Sequence, residues 1–535
     1  MPRWGLFVLF LVGLLAAAGA TFLQTNPGYM DAYYYYYGGQ QIASGHGWNE
    51  MFIWNYLDDP TSLPHPAFTY WMPLTSLLAA VGIKLFSGVF PMFKAAQYSF
   101  VLLTACIAPV TASLAFNLSG RKGFGWLAGF LVIFCGFYLP YMTTTDSFSV
   151  VMLLGGLFFL LYARLKKGRA LVFGLLAGLM HMARADGLLW LGVAGLAVLF
   201  DLAEENGELN FKNVLGSAIS WRYLREGLIV VLGYLLVMFP WFYRNIGEFG
   251  GLFPPGGSRT MWVLSYDELF SYPASILTPS RWWDAGLGKL LAARGEAVWV
   301  NLQTTIISMG VLLPGILSIL GLWHLRKNKL VKLGFIGWAV LFGIMTVVFP
   351  FSGMRGSYFH SGAALVPLMM ALAPVGIDVL TQASLKRFKN WKDERIRPFY
   401  IGVTILFVIG FSVFQYFSTV AGFEGDSGLA WNQTETRYKA VDVVLDGLGA
   451  SRFELVMAAS PPGFTVVTGR AAIAIPDGDP QRMLEAAKDY GADWVLVEPN
   501  HPEGLDELYE NPQDVGSLTL IVRVEDVLIF AWEGD

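Results

Sequence analysis

Apolar stretches long enough to reach across a bilayer recur along this chain, separated by short polar segments that carry much of its charge. The first occupies residues 4–23. Others follow at 94–117, 123–141, 147–163, 170–184, 186–200, 227–242, 297–323, 332–350, 359–380 and 399–420. Each reads as a helix, because a lipid-exposed backbone must satisfy its own hydrogen bonds. The first stretch is longer than the ~7–15 residues of a signal-peptide core, so it is expected to remain as a membrane helix. One further segment, 66–87, is apolar but interrupted by Pro73, Thr75, Ser76 and Lys84.

Basic residues decide how the helices are strung. They flank the apolar stretches at Arg3, Arg121-Lys122, Arg164/Lys166/Lys167/Arg169, Lys212/Arg222/Arg225, Arg326/Lys327/Lys329 and across 386–397. All fall on the cytoplasmic side if 66–87 lies along the outer interface rather than crossing. This gives about eleven spanning helices, with the N-terminus inside and the C-terminus outside. The long segments 24–93 and 244–296 then become outer loops.

Beyond residue 420 the pattern changes: charge density rises and membrane-length runs stop. Alternation predicts short strands near 453–458, 494–498, 518–524 and 527–532, with a helix over 480–490. The expected organisation is a transmembrane domain over 1–420 and a small extracytoplasmic α/β domain over 421–535. Composition agrees: 55% of the 535 residues are hydrophobic and 14% charged, too apolar for a soluble protein of this size. Cys106 and Cys135 lie inside apolar stretches and read as packing residues. The absence of His-x-x-x-His and Cys-x-x-Cys patterns gives zinc no support from spacing. The expected setting is the plasma membrane, with no nucleic-acid partner.

With so few charges, those on the outer face ask for a reason. Asp31 lies just past the first helix, next to five consecutive tyrosines, Tyr33 to Tyr37. There it can act as a general base on an acceptor hydroxyl or as a helix N-cap. The tyrosines suit an interfacial aromatic belt, or, for Tyr33 and Tyr34, contact with sugar or lipid. Asp146 opens a helix after Tyr141-Met-Thr-Thr-Thr145 and is either a cap or an acid that holds a metal, positions an acceptor or tunes Asp31. His65 lies between two prolines and suits phosphate contact or loop packing. His360 starts an outward helix end, and His181 suits a packed interior. Arg184, Arg244, Arg259 and Arg355 run against the charge bias, and a lipid phosphate is a natural partner for each. Arg184 has an alternative in nearby Asp186.

In order, these pieces resemble the GT-C superfamily of integral-membrane glycosyltransferases, in the branch of protein O-mannosyltransferases and aminoarabinose transferases (glycosyltransferase family 39 and relatives). The resemblance rests on Asp31 with the tyrosines and Ala43-Ser-Gly-His-Gly-Trp48, and on His65-Pro66 with the interfacial segment. It also rests on Thr145-Asp146, on Gly174 to Leu188, on Pro240-Trp241 with Arg244-Asn245, and on Ser361 to Pro367. It implies a GT-C-like helical fold and a polyprenyl-phosphate sugar donor used at the outer face. It also implies a lipid, glycan or protein acceptor, with Asp31 acting on the acceptor and Asp146 supporting. Relatives differ in their need for a divalent cation. The family often has Asp-Glu at the first motif, whereas Ala32 follows Asp31 here. The reading that follows is inverting sugar transfer with Asp31 as base, Arg244 or Arg184 facing the departing phosphate, and His65, Arg259, His360, Tyr33 and Tyr34 lining the site. The alternative is a lipid-linked sugar transporter or flippase.

Overall fold

The computed structural model describes residues 1–165, 168–207, 209–422 and 429–533, so Lys166 and Lys167 of the expected basic cluster lie outside the described residues. The chain forms two compact units. The first comprises Met1–Leu23, Gln97–Tyr243 and Gly295–Val420. The second comprises Gln24–Ala96, Arg244–Arg294 and Ala421–Asp535.

The first unit is helical, and the apolar stretches of the sequence are its helices. Seven described helices are long and apolar enough to cross a bilayer. An eighth span results if Leu287–Met309 and Leu313–His324, bent by 99°, count as one. Lys122–Ile133, Phe148–Arg164 and Arg169–Ala183 are shorter apolar helices. The expectation of about eleven crossings requires those three as well. The helices approach closely where small residues meet. A methyl group on Gly376 would overlap the Leu317 carbonyl, and one on Gly321 the Leu372 carbonyl, so Leu313–His324 and Val366–Arg387 touch backbone to backbone. Without water to drive association, membrane helices gain from contact of this kind.

The second unit is α/β. Its strands are β1 (Asn49–Glu50), β2 (Phe52–Ile53), β3 (His65–Pro66), β4 (Leu455–Ala458), β5 (Ala472–Ala474), β6 (Ala492–Val497), β7 (Leu518–Val524) and β8 (Val527–Trp532). β1 and β3 form a small antiparallel ladder. The main sheet runs β2-β5-β4-β6-β8-β7. β2, β5, β4 and β6 are parallel in sequence, and β8 and β7 close it antiparallel. The strands expected from alternation are present, as is the helix Pro480–Tyr490, whose Asp479 side chain caps the Arg482 N–H. β2, from the segment after the first helix, pairs with β5 through Phe52↔Ala472 and Ile53↔Ile473. One face of the sheet buries Ile53, Tyr56, Met457, Val495 and Phe530, and the other buries Tyr438, Val456, Phe464 and Ile529.

The helix Met30–Ser44 belongs to this unit. Five successive residues on a helix point right round its circumference, and here all five tyrosines are buried. Tyr34 meets Phe52, Phe68 and Trp71 edge-on or tilted, and Tyr36 meets Phe93. The opposing helix is Leu74–Phe86, which fits against Gly38 and Gly39 through Ser76 and Ala79. At 13 residues it is about 20 Å long, short of the ~30 Å hydrocarbon thickness.

Candidate functional site

Asp31 is the second residue of Met30–Ser44. The cap position is Tyr29, whose side chain makes no cap hydrogen bond. Asp31 is thus no N-cap: its half-buried carboxylate stands in the first turn, at the positive end of the helix. The tyrosine belt does not face lipid either. Tyr33 donates to Asn26 Oδ1 at 3.2 Å, and Tyr34 accepts the Phe68 N–H at 2.7 Å. Burial, with Glu50 and Tyr35 nearby, pushes the Tyr34 phenol well above its ordinary range. Tyr33 and Tyr34 therefore form the packed support of the Asp31 helix.

His65 sits across the β1–β3 ladder from Glu50. Its Nδ1 lies 3.3 Å from Glu50 Oε1 and its Nε2 3.0 Å from Asp58 Oδ2, and all three side chains are buried. Both ring nitrogens are therefore engaged by carboxylates rather than open to a phosphate. Burial alone would lower the His65 pKa, but the hydrogen bonds and charges of Asp58 and Glu50 outweigh it and raise it to about 9. Burial raises Glu50 as well, against the opposing pull of His65. Arg259 reaches the same segment, donating to the Leu57 carbonyl at 2.7 Å and to Asp59 at 2.6 Å. Arg244 donates to Asn245 Oδ1 at 3.2 Å and stacks on Phe249 at 5.2 Å. Glu248, Tyr34 and Glu50 are within its electrostatic reach.

In the helical unit, Asp146 is fully buried in the turn before Phe148–Arg164. Its Oδ1 accepts from the Ser147 hydroxyl at 3.1 Å and from the Ser147 N–H, and the N-cap position of the helix is Ser147 rather than Asp146. His360, on Tyr358–Gly362, places Nε2 3.2 Å from Asp146 Oδ2. Its ring stacks on Phe148 at 3.9 Å, and Nδ1 lies 2.9 Å from the Gly356 carbonyl. A carbonyl only accepts, so Nδ1 carries a proton and Nε2 turns toward Asp146. Gly356 has φ +137°, a conformation that glycine adopts most readily. The next residue, Ser361, donates to Asp186 Oδ2. Asp186 also takes the Arg184 guanidinium, through Nε at 3.2 Å and Nη2 at 2.9 Å. One helical turn thus joins Asp146, His360, Asp186 and Arg184. Arg355 is exposed one residue before Gly356. His181 is the packed histidine expected, with Nδ1 2.6 Å from the Tyr234 hydroxyl.

No family model matches the chain, and no curated protein matches it. Solved structures do. The Archaeoglobus fulgidus oligosaccharyltransferase in complex with Zn and sulfate is 12% identical, with a TM-score of 0.57 over 94% of this chain and 68% of that one. The archaeal oligosaccharyltransferase AglB from the same organism, with an inhibitory peptide and a dolichol-phosphate, is 13% identical with a TM-score of 0.53, over 93% and 69%. ArnT from Cupriavidus metallidurans bound to undecaprenyl phosphate is 12% identical with a TM-score of 0.55, over 99% of this chain and 98% of that one.

The fold is shared with these oligosaccharyltransferase and ArnT structures. The chain is an integral multi-pass membrane protein, and the GT-C resemblance read from its sequence is borne out at the level of fold.

Sequence reasoning missed Glu50 and Asp58 as partners of His65, and Gly356 and Phe148 as the groups that orient His360. Glu50 and His65 are fifteen residues apart and meet only through the β1–β3 register. A Gly three residues after Gly353 in a segment ending in histidine was a weak cue for the turn at Gly356.

Proposed function

We propose that this protein transfers a sugar from a polyprenyl-phosphate-linked donor to an acceptor hydroxyl at the outer membrane face, with inversion. The observation that carries this reading is the likeness to ArnT over almost the whole of both chains, in a structure bound to undecaprenyl phosphate. The AglB structure with dolichol-phosphate supports the same donor class. The Lys/Arg bias supports an N-terminus inside and the α/β unit outside.

In this reading Asp31 takes the proton of the acceptor hydroxyl as its oxygen bonds to the anomeric carbon. The bond from that carbon to the phosphate oxygen breaks on the opposite face, and the electron pair leaves with the lipid phosphate. Positive charge stabilises that leaving group as its own charge grows. Arg244 and Arg184 are the two candidates for that charge: Arg244 donates to the amide oxygen of Asn245, and Arg184 pairs with Asp186. Asp146 and His360 form the supporting pair. Their donor set fits a divalent cation: two ligands ~2.1 Å from one ion at a tetrahedral angle sit about 3.4 Å apart, close to the 3.2 Å between Nε2 and Oδ2. Such an ion would supply positive charge to substrate oxygens. The Zn in one oligosaccharyltransferase structure accords with that donor chemistry.

The test is incubation of the purified full chain with radiolabelled polyprenyl-phosphate sugars and lipid, glycan or peptide acceptors. A new glycosidic bond of inverted configuration is expected, and EDTA followed by single divalent metals tests the cation. Movement of sugar lipid across vesicles with no bond made, or a product of retained configuration, contradicts the reading.

A further inference from the structure

The residues that lead into the Asp31 helix are irregular from Gln24 to Tyr29, and the cap residue Tyr29 makes no side-chain cap bond. Local sequence therefore does little to fix where its first turn points. What holds it comes from four hundred residues away. Asn26 is buried, and its amide Nδ2 donates to Asn432 Oδ1 and to Glu435 Oε2, both at 2.8 Å. Its Oδ1 accepts from Tyr33, one helical turn into Met30–Ser44, and its backbone carbonyl accepts the Trp431 indole N–H at 2.9 Å. Thr25 adds a bond to Asn432 Oδ1 at 3.1 Å. The Trp431 ring then packs on Gly28, where any Cβ would overlap it and where φ is +93°, and meets Tyr29 edge-on at 5.7 Å. Every polar atom of the Asn26 side chain is engaged, which makes the joint rigid.

We propose that Trp431, Asn432 and Glu435 are positioning residues for the transfer: through Asn26 and Gly28 they fix the first turn of Met30–Ser44 and so the placement of Asp31. This rests on the reading of Asp31 as base. It gives the region after residue 420 a part in the chemistry, although none of its residues needs to touch substrate. A carboxylate displaced by about 1 Å loses on the order of a hundredfold in rate.

The test uses the full chain. Asn432→Ala combined with Glu435→Ala removes both acceptors of the Asn26 amide, and Glu435→Gln alone keeps one. The double variant is expected to lower kcat for sugar transfer about ten- to a hundredfold with little change in donor KM, while Glu435→Gln stays near wild type. In parallel, Asp31→Cys is made with Cys106 and Cys135 replaced by alanine, and its labelling by a water-soluble maleimide is timed with and without the double substitution. Labelling is expected to quicken several-fold when the clamp is removed. Unchanged labelling overturns the clamp. Quickened labelling with unchanged kcat, while Asp31→Asn is inactive, overturns the positioning role and leaves the base assignment standing. An active Asp31→Asn overturns the base assignment, and this inference with it.

Discussion

His65 shows how a buried charge is tolerated: it is clasped on both ring nitrogens by carboxylates that would otherwise face each other in a low dielectric. The folded His65 pKa of about 9 exceeds its ordinary value of 6.5, and Glu50 is raised too, so the folded cluster holds more protons than the unfolded chain. Stability from His65 is therefore complete below about pH 6.5 and lost as pH rises through about 9. Thermal unfolding of the full chain, followed by a probe in the α/β unit, is expected to show that decline. His65→Gln should cost roughly 3–5 kcal/mol at neutral pH, since it leaves two carboxylates without their cation, and should flatten the pH dependence. An unchanged melting temperature with an unchanged slope would refute the clasp. At this scale the sequence marked the right residue types but not their partners. Asp31, Asp146 and His360 stood out because charge is scarce in an apolar chain. Asn26, Glu50 and Asn432 did not, because polar residues in loops are ordinary and their value lies in contacts between distant positions.

Among the elements, the membrane helices were legible in place, because bilayer thickness imposes a length on apolar runs that few other constraints mimic. Their ends were less so, since the 123–141 stretch is α-helical only over Lys122–Ile133 and the helix of the 297–323 stretch starts at Leu287 and bends by 99°. Their packing was not legible, since glycines in such runs look alike until a neighbour is known. Gly376 and Gly321 sit where Val366–Arg387 and Leu313–His324 touch, whereas a methyl group on Gly343 would meet nothing. Gly376→Ala is expected to lower the melting temperature of the detergent-solubilised protein by several degrees, as overpacking costs ~1–3 kcal/mol, while Gly343→Ala leaves it unchanged. Equal effects would contradict the close contact. The tyrosine run misled for a related reason. Rings that suit a headgroup belt suit a packed interior equally well, and the aromatic residues at 52, 68, 71 and 93 that enclose it are scattered in sequence.

For the whole molecule, the break in character at residue 420 was visible, but the sheet beyond it is completed from elsewhere. β2 contributes only Phe52 and Ile53, too short for alternation to register, and Phe270 and Tyr272 of the 244–294 segment pack on the same core. Residues 421–535 expressed alone would expose the β5 edge and the surface that Ile53 and Tyr56 cover. They are expected to aggregate or to melt well below the same unit in the full chain; a stable soluble monomer would contradict this account. The account as a whole turns on Asp31. The most direct measurement is transfer of radiolabelled sugar from a polyprenyl-phosphate donor by wild type and Asp31→Asn at matched expression. The rate is predicted to fall by ~10²–10⁴-fold in the variant, with donor binding retained. Equal product from both proteins would contradict it.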